Sequence, residues 1–387
     1  MNRISLSYTI ITALISISIC SAQQYKWNNS GNLPSGYTHK TYRSTLMNTD
    51  IGYVIYLPPD YNNSTDRYPV VYSLHGMGGN ENGNCPTYSS VMQSGITSNA
   101  FPPVIVVFIN GRGNTFYSDS KDGSVKCESS IINELIPHID ETYRTKADRS
   151  QRAIEGISMG GFGSLMLGFK HPDMFASIGT YDAALVNWDT LSQQSFDKSI
   201  PNQIFGGDRN YFNENSYPFT FASKNAETIK SLGIKVRITT GDNDLQMGPL
   251  YYYNVAMRDT LNKLGIPLTF NVTKGGSHGQ SFTSANVKEY MIFHTTNFKN
   301  AITPTFQPVI TRSINNSVLA PVTFSSMNAS NFVIPNQWKQ HSVKAIQVFN
   351  LSGRAIGNMS IQGIDRLDGS AMERRFGSGV FTLKAVR

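Results

Sequence analysis

One serine flanked by glycines is the clearest candidate for chemistry in this chain. Ser158 lies in the stretch RAIEGISMGGFGS, where an apolar, strand-like run precedes it and an apolar segment of helical character follows. A G-x-S-x-G pattern at a strand-to-helix turn holds the serine hydroxyl exposed at the end of the strand. The pattern alone is weak in a chain with 32 glycines. The prediction that Ser158 is a nucleophile therefore needs a base, an acid and oxyanion donors elsewhere.

A serine hydroxyl is a weak nucleophile unless a neighbouring base accepts its proton. In this strand-turn-helix arrangement the acid and then the histidine follow the serine along the chain. The histidines after Ser158 are His171, His278, His294 and His341. Only His278, in KGGSHGQSF, lies on a glycine-rich loop directly after the last predicted core strand. The others lie at a helix end before proline, inside a predicted helix and in the C-terminal tail. We therefore predict His278 as the base.

The orienting acid is expected at the end of the strand before that histidine. The segment VRITTGDNDLQ places Asp242 and Asp244 there. One of them would hold the imidazole tautomer and stabilise the imidazolium, and the other would form the turn. Spacing alone does not decide which of the two is the orienting acid.

The oxyanion site requires two backbone N–H groups. We predict one from Met159, the residue after the nucleophile, and one from Met77 in the early loop LHGMGGNENG. Loss of one such donor typically costs roughly 3 kcal/mol of transition-state stabilisation. His75 in the same loop is expected to support the loop and to transfer no proton.

The elements that must position these residues alternate between strand and helix over residues 37–300. YPVVYSLHG and PPVIVVFING are continuous apolar runs typical of buried strands, and ESSIINELIPHIDETY and LYYYNVAMRDTLNKLG have helical spacing. This alternation predicts an α/β fold with a mostly parallel sheet covered on both faces. Residues 301–340 contain prolines without helical periodicity and are interpreted as a linker. Residues 341–387 have short strand patterns between glycines and predict a small, basic β module.

The N-terminus has the pattern of a signal peptide over residues 1–22. Arg3 precedes an apolar run, and small residues allow cleavage after Ala22. The protein is therefore expected to be secreted or attached to the cell surface. A membrane anchor is the alternative, and no other segment is apolar enough to span a bilayer. In an exported chain, Cys85 and Cys127 favour one disulfide, and two separate buried thiols are the alternative.

Composition excludes several classes. The net charge is +7, but no dense run of Lys and Arg indicates nucleic-acid binding. The chain lacks C-x-x-C and H-E-x-x-H patterns, a P-loop and a G-x-G-x-x-G. We therefore expect no metal and no cofactor.

Several of these segments together resemble carbohydrate esterase family 1, the feruloyl and acetylxylan esterases in the esterase D-like branch of α/β-hydrolases. They are YPVVYSLHGMGGNENG, ELIPHIDETYRTKADRSQRAIEGISMGGFGSLMLGFKHPDMF, TTGDND and GGSHGQSF. The resemblance covers roughly residues 37–300 and implies an α/β-hydrolase fold. In that family the acid closes a G-x-x-D element, so GDND favours Asp244.

The resemblance implies a secreted serine esterase that removes feruloyl groups from plant cell-wall xylan through an acyl-enzyme. Tyr117, Tyr181 and Trp188 are then candidates to line the acyl pocket. An acetylxylan esterase is the alternative, and a non-catalytic carbohydrate-binding protein on a hydrolase scaffold is an alternative of another class. The tail VFNLSGRAIG…SGVFTLKAV resembles C-terminal sorting or attachment modules, which implies a secretion or surface-attachment machinery as partner.

Overall fold

The computed structural model describes residues 25–193, 200–244 and 250–300, together with short strand segments within 322–325, 331–333, 345–349, 355–361, 366–368 and 380–386. The predicted signal peptide and most of the predicted linker lie outside the described residues, so both stay predictions.

One eight-stranded sheet organises the larger part of the chain. Its spatial order is β1-β2-β4-β3-β5-β6-β7-β8. The first two strands run antiparallel to their neighbours, and the other six are mutually parallel. The predicted α/β class with a mostly parallel sheet is confirmed. The strands are β1 (Tyr37–Ser44), β2 (Thr49–Tyr56), β3 (Val70–Leu74), β4 (Ile105–Ile109), β5 (Arg152–Ile157), β6 (Ser177–Tyr181), β7 (Lys235–Gly241) and β8 (Leu268–Thr273).

Helices cover both faces of this sheet. The predicted helix over ESSIINELIPHIDETY is confirmed as two helices joined by a π-helical turn at Ile131–Leu135. The helices are α1 (Cys85–Thr97), α2 (Cys127–Ser130), α3 (Ile136–Thr142), α4 (Met159–Lys170), α5 (Trp188–Ser192), α6 (Arg209–Asn215), α7 (Pro218–Lys224), α8 (Ala226–Ser231), α9 (Leu250–Leu264) and α10 (Gln280–Asn300).

Alternate residues of β3 belong to different apolar clusters. Val70 and Tyr72 pack in the larger cluster with Phe162 of α4, whereas Val71 packs with Tyr88 of α1 and Met291 of α10. Successive side chains of a strand point to opposite faces of the sheet, so the two clusters lie on the two faces. β3 and β4 are buried along their whole length, which explains their continuous apolar sequences.

The predicted disulfide is wrong. Cys85 packs in the cluster on one face of the sheet and Cys127 in the cluster on the other, and both are buried free thiols. A sheet between the two side chains prevents the approach that a disulfide requires. Burial raises the pKa of both thiols to about 12.

A separate small antiparallel sheet follows in the C-terminal part. Four strands pair in the order β12-β11-β14-β9, and β10 pairs with β13. Ile346, Val348 and Leu383 are buried there. β9 lies inside the stretch predicted as linker, so pairing in this sheet begins before residue 341. The strands are β9 (Val322–Ser325), β10 (Asn331–Val333), β11 (Ala345–Phe349), β12 (Ala355–Ser360), β13 (Arg366–Asp368) and β14 (Val380–Val386).

Across the described part of the chain, no helix has the length and apolar character that a membrane crossing requires.

Candidate active site

Ser158 occupies a strained turn between β5 and α4. Its backbone has φ 58° and ψ −118°, a conformation that L-residues rarely adopt and that is found where surrounding structure holds strain at functional sites. Its N–H donates to Tyr181 O at 3.0 Å, and its carbonyl accepts from Ala184 N–H at 2.9 Å. The turn is therefore fixed to β6 and the segment after it, and it holds Ser158 at the carboxyl end of β5.

The glycines on each side of Ser158 allow this turn to form. A Cβ on Gly156 would lie 2.5 Å from the carbonyl carbon of Gly160, and a Cβ on Gly160 would lie 2.8 Å from His75 O. Backbone that cannot move aside occupies both places. The G-x-S-x-G pattern thus reflects the close approach of β5, α4 and the segment after β3.

His278 and Asp244 form a hydrogen-bonded pair. Asp244 follows β7 and is buried, and its Oδ2 lies 2.8 Å from His278 Nδ1 in the loop between β8 and α10. A proton on Nδ1 leaves Nε2 as the free base, which is the tautomer that proton abstraction from a serine requires. Asp242 is exposed and accepts from Gly275 N–H at 2.5 Å. This hydrogen bond ties the loop after β7 to the loop after β8, so Asp242 links two loops and does not contact His278 through this oxygen.

The loop that carries His278 lies at the same edge of the sheet as Ser158. Ile157 packs with Phe282 of α10, and Gln280 Nε2 donates to Gly83 O at 3.2 Å. Within the described ranges, no hydrogen bond joins the Ser158 hydroxyl to the His278 ring. Such bonds are often long in unliganded enzymes and shorten when substrate binds.

The two residues predicted to donate to the oxyanion are in segments next to Ser158. A Cβ on Gly76 would lie 3.4 Å from Ser158 Cβ, so the loop after β3 passes directly over the serine and places Met77 next to it. Met159 is the first residue of α4. The first N–H groups of a helix lack intrahelical acceptors and lie at its positive end. Both predicted N–H donors are thus close to Ser158.

His75 supports this loop as predicted. Its Nε2 accepts from Gly111 N–H at 2.9 Å, so its Nδ1 carries the proton and donates to Gly76 O at 2.7 Å. Burial lowers the pKa of His75 to about 4. The ring therefore stays neutral near pH 7, and both nitrogens are already engaged.

The prediction that Tyr117 and Tyr181 line an acyl pocket is wrong. Both are completely buried; Tyr117 OH donates to His75 O at 2.9 Å and Tyr181 OH to Glu155 Oε2 at 3.0 Å. They stabilise the core beneath the site. Trp188 is partly buried, and its ring centroid lies 5.8 Å from that of Phe212, which assigns it a packing role.

Asp182 is a residue of this site that was not predicted from the sequence. This buried residue directly follows β6. One of its carboxylate oxygens lies within 4.8 Å of a carboxylate oxygen of Asp244 and of a ring nitrogen of His278. Burial raises its pKa to about 7. The available signal was its place in FASIGTYDAA, at the carboxyl end of a predicted strand beside the strand of Ser158.

Comparison with known proteins agrees with this geometry. Residues 44–250, just over half of the chain, match the family model described as "Putative esterase". An endo-1,4-beta-xylanase/feruloyl esterase of Xylanibacter ruminicola is 32% identical over 190 residues, 47% of this chain and 25% of that protein. An esterase of Mycobacterium tuberculosis is 30% identical over 168 residues, 40% of this chain and 36% of that protein. The chain thus spans well under half the length of these curated relatives.

A solved ferulic acid esterase has the same fold. It superposes with a TM-score of 0.57 at 23% identity, over 69% of this chain and 100% of that one. The fold is therefore that of the α/β-hydrolases. Because the family model described as "Putative esterase" matches more than half of the chain, including the Ser158 turn, the chain belongs to that esterase family.

Proposed function

We propose that this protein is a secreted serine esterase that removes feruloyl groups from plant cell-wall xylan. One observation carries the hydrolytic part of the proposal: the Asp244–His278 hydrogen bond of 2.8 Å lies at the sheet edge where the strained turn presents Ser158. A base held in one tautomer at the same sheet edge as a nucleophilic serine is the arrangement that acyl transfer requires.

Acylation follows from these positions. Ser158 Oγ attacks the ester carbonyl carbon while His278 Nε2 accepts the hydroxyl proton. The N–H groups of Met77 and Met159 donate to the oxyanion that forms, and Asp244 stabilises the imidazolium through Nδ1. His278 then gives its proton to the sugar oxygen, and the C–O bond breaks to release the polysaccharide hydroxyl.

Deacylation repeats the sequence with water. His278 accepts a proton from the water that attacks the acyl-enzyme, the same two N–H groups hold the oxyanion, and Ser158 Oγ leaves as its proton returns. The carboxylic acid is released, and the enzyme regains its starting protonation state. All required proton transfers use His278 alone.

The choice of a feruloyl ester is supported by the name of the Xylanibacter relative and by the resemblance of the Ser158 region to carbohydrate esterase family 1. Secretion is supported by the apolar segment after Arg3, and attachment through the C-terminal sheet by the resemblance of the tail. Acetylxylan is the second candidate substrate, because the same catalytic residues serve a smaller acyl group.

The test compares hydrolysis of methyl ferulate and 4-nitrophenyl acetate by the wild type, Ser158→Ala and Ser231→Ala. Ser231 is an exposed serine on α8 and serves as the control. We expect ferulate cleavage that is lost only in Ser158→Ala. Acetate cleavage without ferulate cleavage would favour acetylxylan. Neither activity in a folded wild type would refute the esterase and favour a binding protein.

A further inference from the structure

A second carboxyl group lies behind the catalytic histidine. Asp182 leaves β6 with a φ of 42°, a left-handed conformation in which Asp and Asn are several-fold enriched. Its carboxylate is fully buried and lies within 4.8 Å of Asp244 and His278. Three different loops, after β6, β7 and β8, thus bring two carboxyl groups and one imidazole together.

Only one oxygen of this carboxyl is hydrogen-bonded. Asp182 Oδ1 accepts from Gly241 N–H at 2.7 Å. Among the described residues, Asp182 Oδ2 has no hydrogen-bond partner, and neither does the buried hydroxyl of Thr240. The Thr240 side chain nevertheless lies close enough to favour the charged form of this carboxyl, which opposes the effect of burial. A buried carboxylate oxygen without a donor is costly, whereas a protonated oxygen at this place would itself be a donor.

The charges that face Asp182 come from two elements. Asp244, after β7, disfavours a second negative charge, and His278, after β8, favours one when it is protonated. Among the residues that the structure describes, the other groups that contact Asp182 and the residue after it are uncharged: Thr239, Thr240 and Gly241 of β7, and Asn254 of α9, which donates to Ala183 O. Burial is the largest influence and raises the pKa of Asp182 to about 7; the Gly241 hydrogen bond opposes the rise.

We propose that Asp182 is a positioning residue that holds a proton beside the Asp244–His278 pair in mildly acidic solution and places a second negative charge there when it releases that proton. Two neighbouring carboxyl groups in a buried site keep one proton between them, because both cannot be ionised at low cost. Asp244 already accepts the His278 N–H, so the proton resides on Asp182. The effect on activity rests on the esterase function proposed above.

The consequence is a coupled titration. As the pH rises, the Asp182 carboxyl releases its proton, and the negative charge that it gains stabilises the imidazolium form of His278. The fall of kcat/KM on the low-pH side of the profile, its acid limb, then reflects His278 and Asp182 together and is broader than the curve of a single ionisation. Without the carboxyl, the limb reduces to one ionisation at lower pH.

The test uses Asp182→Asn in the full-length mature protein. Asparagine tolerates the left-handed backbone and can accept the Gly241 N–H bond, so the substitution removes only the titrating group. We expect the acid limb of kcat/KM with 4-nitrophenyl acetate to move down by roughly one pH unit and to fit one ionisation. Asp66→Asn removes an exposed carboxylate before β3, at the opposite edge of the sheet, and should leave the limb unchanged.

Thermal unfolding gives a readout that needs no activity. The pKa of Asp182 is raised above its unfolded value of about 4, so the bound proton stabilises the fold at low pH. That stabilisation is lost as pH rises through about 7. The Tm of Asp182→Asn relative to the wild type should therefore increase between pH 5 and pH 9. If this Tm difference rises with pH but the wild type shows no esterase activity, the proton on Asp182 is supported and the proposed esterase function is refuted.

A constant Tm difference together with an unchanged acid limb would overturn the proposal. If Asp182→Asn does not fold, carboxyl 13C NMR of the wild type, labelled at aspartate, decides the question. One aspartate carboxyl that titrates near pH 7 supports the proposal, and titration of every aspartate well below that pH contradicts it.

Discussion

The Nε2 atom of His75 accepts the backbone N–H of Gly111 at 2.9 Å, so this buried ring ties the loop after β3 to the loop after β4. Its Nδ1 donates to Gly76 O at 2.7 Å, and Gly78 N–H donates to Gly113 O at 2.7 Å. Met77 therefore lies between two anchored residues. Met77 itself is 38% exposed, but the hydrogen bonds on both sides of it fix its backbone.

We predict that His75→Ala lowers kcat without moving the acid limb of the pH profile. Loss of the ring releases Gly76 and Gly111. We therefore expect kcat to fall by about 10²–10³-fold, as for the loss of one oxyanion donor. The limb should stay in place, because the pKa of His75 is lowered to about 4 and the ring is neutral throughout the working range. Steady-state kinetics from pH 5 to 9 checks both parts. A limb that moves would show that His75 takes part in proton transfer.

The two aspartates at the end of β7 should differ strongly in importance. Asp244→Asn removes the acceptor for His278 Nδ1–H and should lower kcat by roughly 10⁴, because the imidazole then loses its required tautomer. Asp242→Asn keeps an acceptor for Gly275 N–H and should change kcat little. The two kcat values on 4-nitrophenyl acetate decide between them. Equal losses would mean that the loop, and not the acid, was disturbed.

The sequence predicted the parts of the site that depend on local pattern. Ser158 and His278 could be proposed because continuous apolar strands end at glycine-rich turns, and strand order brings such ends to one edge of the sheet. Spacing alone left Asp242 and Asp244 open, because both follow the same strand and only burial separates them. Asp182 was missed because its importance arises where three loops meet.

The errors concern the direction in which side chains point. Tyr117 and Tyr181 occur near predicted loops, but their rings point into the core and their hydroxyls bond to His75 O and Glu155. Cys85 and Cys127 were paired from the expected compartment, which carries no information about the faces of a sheet. Such directions depend on register and on packing between elements that are distant in sequence.

The free thiols lead to a chemical prediction. In a chain that begins at Gln23, Cys85 and Cys127 should not react with Ellman's reagent at pH 8 while the protein is folded, because both are buried and their pKa is raised to about 12. Both should react once guanidinium unfolds the protein without reductant. Reaction only after a reductant is added would establish the disulfide and contradict the structure.

The close approach at Gly160 predicts a large loss of stability from a single added methyl group. A Cβ there would lie 2.6 Å from the carbonyl carbon of Leu74 and 2.8 Å from His75 O. These backbone atoms cannot move without displacing β3 or the loop that follows it. Gly160→Ala should therefore lower the free energy of unfolding by about 3 kcal/mol or more.

Gly31→Ala is the matched control for this substitution. Gly31 is exposed, and its added Cβ would approach only the Asn82 side chain, at 3.1 Å. The Asn82 amide need shift only by a few tenths of an ångström, and such a shift strains at most its one hydrogen bond to Asn29 O, so the free energy of unfolding should fall by no more than about 1 kcal/mol. Urea unfolding of both variants measures the difference. Similar stabilities would show that α4 and β3 can separate without cost, and the presence of a glycine at position 160 would then need another explanation.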